Sequence, residues 1–185
     1  MTEPAFKAMS MDEYLRTEEL SPFKREFVAG FVYPLHAQAG VSQGHSQIGM
    51  NIAGSLFREA RHQGCRLHMG EMWLQVGNAM FYPDVMLACG DTFQTYFETA
   101  PCLLVEVLSP SSASTDRVGK YAMYTGIPTL QTYLIVEQHE RRIYAYQREG
   151  NEWTLHEVAG EGAIDIPCLG TRLSLSDVYD GVLGD

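Results

Sequence analysis

One charged residue inside an otherwise apolar run sets the first constraint on this chain. Cys102-Leu103-Leu104-Val105-Glu106-Val107-Leu108 is built from the aliphatic residues that suit a strand buried on both faces. By two-residue alternation Leu104, Glu106 and Leu108 share one face, and Leu103, Val105 and Val107 share the other. An uncompensated carboxylate in low dielectric is costly, so Glu106 requires a partner. A cation or a lysine would satisfy it, and so would a structural ion pair with an arginine elsewhere. Both readings stay open at this point.

Two further residues stand beside segments of defined character. Asp84 follows Tyr82-Pro83 and opens a second apolar run, Asp84-Val85-Met86-Leu87-Ala88-Cys89. Lys120 lies in a segment that reads as helix, beyond a Ser/Thr/Asp-rich stretch from Ser109 to Asp116. A carboxylate at each of two strands and a nearby ammonium form the minimal set for metal-assisted phosphodiester hydrolysis. The carboxylates hold a hard divalent cation that acidifies water, and the lysine steadies hydroxide or developing phosphorane charge. The bland readings are equally concrete. Asp84 could be a solvated acid starting a strand, and Asp116 and Lys120 have the i,i+4 spacing of a surface pair.

The remaining elements follow from local signals. Ser10-Met11-Asp12-Glu13 is a capping-box pattern and predicts a short helix to Leu20. Glu26 to Tyr33 reads as two strands about a turn at Ala29-Gly30. Ile48, Ile52 and Leu56 recur every four residues between His45 and His62, which predicts the longest helix, with Gly64 as its stop. Strands are expected at Cys65–His68, Met72–Val76 and Tyr82–Cys89. Further on, Gln131–Val136 and Arg142–Gln147 form a hairpin, Trp153–Val158 adds a strand, and Leu175–Tyr179 a closing helix. The order predicts a mixed α/β core with a mostly antiparallel sheet and helices on its faces.

Composition bounds the function. The 185 residues, 45% hydrophobic and 19% charged, suit a single domain spanning 1–185. No apolar stretch approaches the roughly 18–20 residues of a membrane span, and Met1-Thr2-Glu3-Pro4 lacks the features of a signal peptide. The expectation is a soluble, cytoplasmic protein. Cys65, Cys89, Cys102 and Cys168 have no C-x-x-C spacing and read as small buried hydrophobes, not as a zinc site or a disulfide frame. The net charge of −10, from 13 basic and 23 acidic residues, disfavours tight unaided binding to duplex DNA. Lys24, Arg25, Arg58, Arg61, Arg66, Arg117 and Lys120 are the candidates for a local basic face.

Tyr82-Pro83-Asp84-Val85, then Val105-Glu106-Val107-Leu108-Ser109-Pro110-Ser111-Ser112, then Asp116-Arg117-Val118-Gly119-Lys120 resemble the Uma-two family. These are restriction-endonuclease-like proteins of the PD-(D/E)XK nuclease superfamily. Met11 to Leu15, Glu26 to Tyr33, His45, and Gly126-Ile127-Pro128 leading to Tyr133-Leu134-Ile135-Val136 fall in the same order. The resemblance implies a restriction-endonuclease-like α/β (α+β) core. It assigns Asp84 and Glu106 as the two motif acids holding Mg²⁺, with Mn²⁺ as a substitute. Leu108 stands where the superfamily usually carries its lysine, and Lys120 falls where relatives are thought to have moved it. Glu26 resembles an additional N-terminal acid; next to Lys24 and Arg25 it also reads as a plain exposed strand residue. His45 is either close to the metal or phosphate, or a structural residue opening its helix. The implied activity is endonucleolytic hydrolysis of DNA, by a homodimer if relatives are a guide. A non-catalytic binding or assembly protein that keeps the nuclease fold is the alternative, and the acidic balance favours it.

Overall fold

The computed structural model describes residues 8–35, 42–91, 94–109 and 119–183. Most of the Ser109–Asp116 stretch, together with Arg117, lies outside them. Helix α1 (Met11–Glu18) starts at Ser10, whose hydroxyl accepts from the Glu13 N–H at 3.2 Å. Strands β1 (Arg25–Val28) and β2 (Phe31–Pro34) pair antiparallel. Ala29 (φ 52°) and Gly30 (φ 86°) both turn through positive φ, which matches the twist of a two-residue hairpin. Helix α2 (Gln43–His62) buries Ile48, Ile52 and Leu56 completely, as their four-residue recurrence predicts.

Next come β3 (Arg66–Met69), β4 (Trp73–Val76), β5 (Ala79–Phe81), β6 (Val85–Ala88), β7 (Phe97–Glu98) and β8 (Pro101–Val107). After α3 (Tyr121–Tyr124) follow β9 (Thr132–Val136), β10 (Arg142–Glu149) and β11 (Glu152–Ala159). The described part closes with β12 (Ala163–Ile166), a 3-10 turn (Pro167–Leu169), β13 (Thr171–Ser174) and α4 (Leu175–Val178).

The strands make two main sheets where one was expected. The larger runs β11-β10-β9-β8-β6-β3, antiparallel except where β8 lies parallel to β9. The smaller runs β2-β1-β5-β4-β7, and β12 pairs with β13 alone. Fold class is nevertheless as expected: mixed α and β, with mostly antiparallel sheets flanked by helices. β8 sits inside the larger sheet and is buried along its whole length. Its Leu103, Val105 and Val107 pack with Ile48, Ile52 and Leu56 of α2 and with Leu173 and Val178. Its Leu104, with Leu108 just beyond, packs with Leu74 and Phe81 of the smaller sheet and with Tyr124 and Tyr133. Behind the smaller sheet, Tyr14 of α1 meets Phe27 and Met80. Glu106 therefore points into the layer between the two sheets. Among the described residues no helix is long and apolar enough to cross a membrane.

The reading of the cysteines is corrected. Cys65 is disulfide-bonded to Cys89, and Cys102 to Cys168. Adjacency of β3, β6 and β8 brings the first three together, and the turn after β12 delivers the fourth. Sequence spacing does not register such tertiary convergence.

Candidate active site

The ladder between β6 and β8 creates the site. Val85 pairs with Val105, so one further step sets Asp84 across from Glu106 at the end of the antiparallel pair. The Asp84 carboxylate turns along the strand end, where Oδ2 accepts the Val107 N–H at 2.7 Å. His45 Nε2 lies 3.3 Å from the same oxygen. His45 stands in the first turn of α2 because Ser42 Oγ caps that helix, accepting the His45 N–H at 3.0 Å. The Ser42 hydroxyl in turn donates to Gln138 Oε1, and Gln138 Nε2 donates to the Leu108 carbonyl. The helix start is thereby tied to the end of β8.

Glu106 meets a lysine, as one of its two readings allowed. Lys120 Nζ lies 3.0 Å from Glu106 Oε1 and 3.1 Å from Glu26 Oε1. All three residues are buried, at 3% exposure for Glu106, 5% for Lys120 and 6% for Glu26. Gly119 and Lys120 form a π-type turn entering α3, and the lysine side chain runs back toward the strand that precedes it. Tyr124, one helical turn on, donates its hydroxyl to Glu106 Oε1 at 2.9 Å. Burial first, and then the Glu106 charge, hold the Tyr124 phenol well above its usual range, so it stays a donor. Glu26 alternates with Phe27 along β1, which turns it toward the larger sheet while Phe27 packs behind. Its Oε1 also accepts the Tyr82 N–H at 3.4 Å.

The structure thus gathers Glu26, Glu106 and Lys120 into one buried contact and sets Asp84 and His45 at its lip. The Asp84 side chain is 27% exposed, and its Oδ1 takes none of the described hydrogen bonds. Tyr124, Ser42 and Gln138 were not singled out as site residues. Only Tyr124 carried a signal, its i,i+4 spacing from Lys120. Glu71 is a surface partner of Lys24 at 2.8 Å.

Two hard-oxygen donors on adjacent strands fit a magnesium ion, which takes one or two carboxylates and keeps several waters. Asp84 and Glu106 have that donor chemistry and stand opposite each other across β6 and β8. Three carboxylate or imidazole atoms are not preassembled here: the one such close group among the described residues is made of cysteines.

Of the seven candidates for a local basic face, four are paired with carboxylates. Lys24 is paired with Glu71, Arg25 with Glu18 at 2.7 Å, Arg66 with Glu98 at 2.7 Å, and Lys120 with Glu26 and Glu106. Arg58 and Arg61 are exposed on α2, and Arg117 lies outside the described residues. Most of the candidate cations already serve the protein's own carboxylates.

The chain is similar in sequence and fold to known proteins. The model of the Uma2 family, described as "Putative restriction endonuclease", matches residues 11–176. Two uncharacterized proteins of Synechocystis sp. (strain ATCC 27184 / PCC 6803 / Kazusa) are similar in sequence. One is 31% identical over 182 residues, covering 96% of this chain and 94% of the relative. The other is 34% identical over 164 residues, covering 85% and 91%. A crystal structure from Anabaena variabilis ATCC 29413, described as "a putative nuclease belonging to DUF820", matches with a TM-score of 0.75. It covers 95% of this chain and 99% of that one at 17% identity, a likeness of fold.

Proposed function

The chain belongs to the Uma2 family of restriction-endonuclease-like proteins, and from that premise we propose that it is a Mg²⁺-dependent endodeoxyribonuclease. One observation carries the reading: Asp84 and Glu106 oppose each other across two strands, with the Lys120 ammonium 3.0 Å from Glu106. Asp84 and Glu106 hold the cation, for which Mn²⁺ substitutes. When bound, the metal supplies positive charge at the phosphate and lowers the pKa of water. Lys120 orients the attacking water and balances charge on the phosphoryl oxygens. Water oxygen bonds to phosphorus as the bond to the 3′ oxygen breaks, leaving a 5′-phosphate and a 3′-hydroxyl.

The other residues position these three. Tyr124 fixes the Glu106 carboxylate by its hydroxyl. Glu26 shares the Lys120 ammonium and holds it in the layer between the sheets. His45 and the Val107 N–H fix the orientation of Asp84. Two copies would cut two strands, and edge strand β11, with Leu155 half exposed, offers a surface for pairing. Because most candidate cations are internally paired, DNA is held chiefly at the reacting phosphate.

One observation favours the non-catalytic alternative: Lys120 lies buried between two carboxylates, as in a purely structural ion pair. A plasmid-nicking assay with Mg²⁺ or Mn²⁺ separates the readings, comparing the parent with Asp84→Asn and Lys120→Met after each is shown to be folded. Cleavage that needs metal and is lost in both variants supports the nuclease. Absence of cleavage by the parent, or equal cleavage by all three, rejects it.

A further inference from the structure

All four cysteines of the chain meet at one place, on the α2 side of the larger sheet. Cys65 precedes β3, Cys89 follows β6, Cys102 lies in β8 and Cys168 in the 3-10 turn, and all four pack in the same apolar cluster. A shift of register at Leu87/Ala88 pairs Ala88 with Pro101, and Cys102 joins that cluster with Leu103. Glu106 lies four residues further along the strand, on the opposite face and roughly 13 Å away at strand rise. The cysteines are thus separate from the carboxylate site.

We propose that the reduced form of this cluster is a tetrathiolate site for a thiophilic divalent metal, with zinc as the fitting ion. The donor set is four sulfurs, which selects zinc over magnesium or calcium. The spacing agrees. In a tetrahedral site with Zn–S of about 2.3 Å, neighbouring sulfurs stand about 3.8 Å apart. Cys89 Sγ and Cys102 Sγ are not bonded to each other and already lie 3.6 Å apart. The Sγ atoms of Cys89, Cys102 and Cys168 all fall within 4.8 Å of one another. Cys65 is the fourth ligand, its Cα 4.3 Å from that of Cys89. The Cys65 Sγ stands outside that close group of three, so it swings toward them as its bond to Cys89 opens.

Chemically, each disulfide takes two electrons and two protons from a dithiol reductant, which leaves as its own disulfide. The four thiols then lose four protons to solvent as four Zn–S bonds form. Cys102 is 5% exposed, while Cys65, Cys89 and Cys168 are half-buried, so metal can reach the cluster from their side. Because binding releases protons, affinity falls steeply as pH drops.

The test uses the full chain, reduced without metal and kept free of oxygen, titrated with Co²⁺ as a spectroscopic stand-in and then with Zn²⁺. The expected result is a sulfur-to-cobalt charge-transfer band that saturates at one ion per chain and is bleached by Zn²⁺. Cys102→Ser and Cys168→Ser should each weaken binding on the order of 100-fold or more, since each removes a ligand outright. Asp84→Asn should leave it unchanged. Should the serine variants fail to fold, iodoacetamide labelling of the unaltered protein decides. Zn²⁺ should slow alkylation at all four cysteines, resolved by mass. No saturable band together with Zn²⁺-independent alkylation would overturn the proposal and leave a plain disulfide frame.

Discussion

Lys120 brings one ammonium to two carboxylates in a place nearly closed to water, so the three charges are strongly interdependent. Its Nζ lies at almost equal distance from Glu26 and Glu106, and Tyr124 supplies the further donor that Glu106 needs. Removing the lysine leaves two like charges buried together. Lys120→Met, which keeps the length of the side chain, is expected to lower stability by about 3–5 kcal/mol at neutral pH. Adding Glu26→Gln to that variant should recover part of the loss, because one of the opposed carboxylates becomes neutral. Mg²⁺ should raise the melting temperature of Lys120→Met more than that of the parent, since a cation now answers an unbalanced negative pair. Urea unfolding of the three proteins, with thermal scans with and without Mg²⁺, reads all of this. A loss under about 1 kcal/mol, the range of exposed pairs, would show that the contact is open to water.

At the scale of elements, the local signals were faithful where local energy decides. Ser10 caps α1, the Ala29-Gly30 turn joins β1 to β2, and the four-residue recurrence of Ile48, Ile52 and Leu56 is the buried stripe of α2. The alternation in β8 sorted Leu103 from Leu104 into separate cores. Short elements defined by distant partners were not legible. Ala79-Met80-Phe81 is only three residues, and β5 exists because β1 pairs on one side and β4 on the other. The same blindness hid the second sheet, the β12–β13 hairpin and the meeting of the cysteines. At the site, acids within or opening apolar runs made Glu106 and Asp84 visible, whereas the tie from Ser42 to Gln138 crosses 96 residues and leaves no local trace. That tie is open to test. Ser42→Ala removes the cap of α2 and should cost about 1–2 kcal/mol. Gln138→Ala also leaves the Leu108 carbonyl without its side-chain donor. In a double-mutant cycle the two should couple by about 0.5–1.5 kcal/mol, the worth of one hydrogen bond. Zero coupling in urea midpoints would mean that the bond contributes nothing to the folded state.

For the whole molecule, the buried tyrosines make alkali a probe of every layer at once. Tyr14 belongs to α1, Tyr82 lies between β5 and β6, Tyr124 is in α3, and Tyr179 follows α4. All four phenols are held above their usual value, in each case mainly because burial disfavours the phenolate. Glu18 adds to this at Tyr14 and Tyr82 and Glu106 at Tyr124, while a backbone hydrogen bond from Arg142 partly offsets it at Tyr179. The sign follows from proton counts. Below about pH 10, the ordinary tyrosine pKa, these phenols are protonated in folded and unfolded chains alike, and their contribution to stability is fully present. Above it the unfolded chain gives up protons that the folded chain retains, so stability falls as pH rises toward the folded values. The urea midpoint should therefore hold level from pH 8 to about 9.5 and then decline, on the reference pKa. Phenolate absorbance from the buried set should appear only together with loss of the far-ultraviolet circular dichroism. If the full tyrosine complement instead titrates reversibly near pH 10 with the fold intact, these rings reach water and the packing around Glu18 and Glu106 is looser than the hydrogen-bond geometry requires.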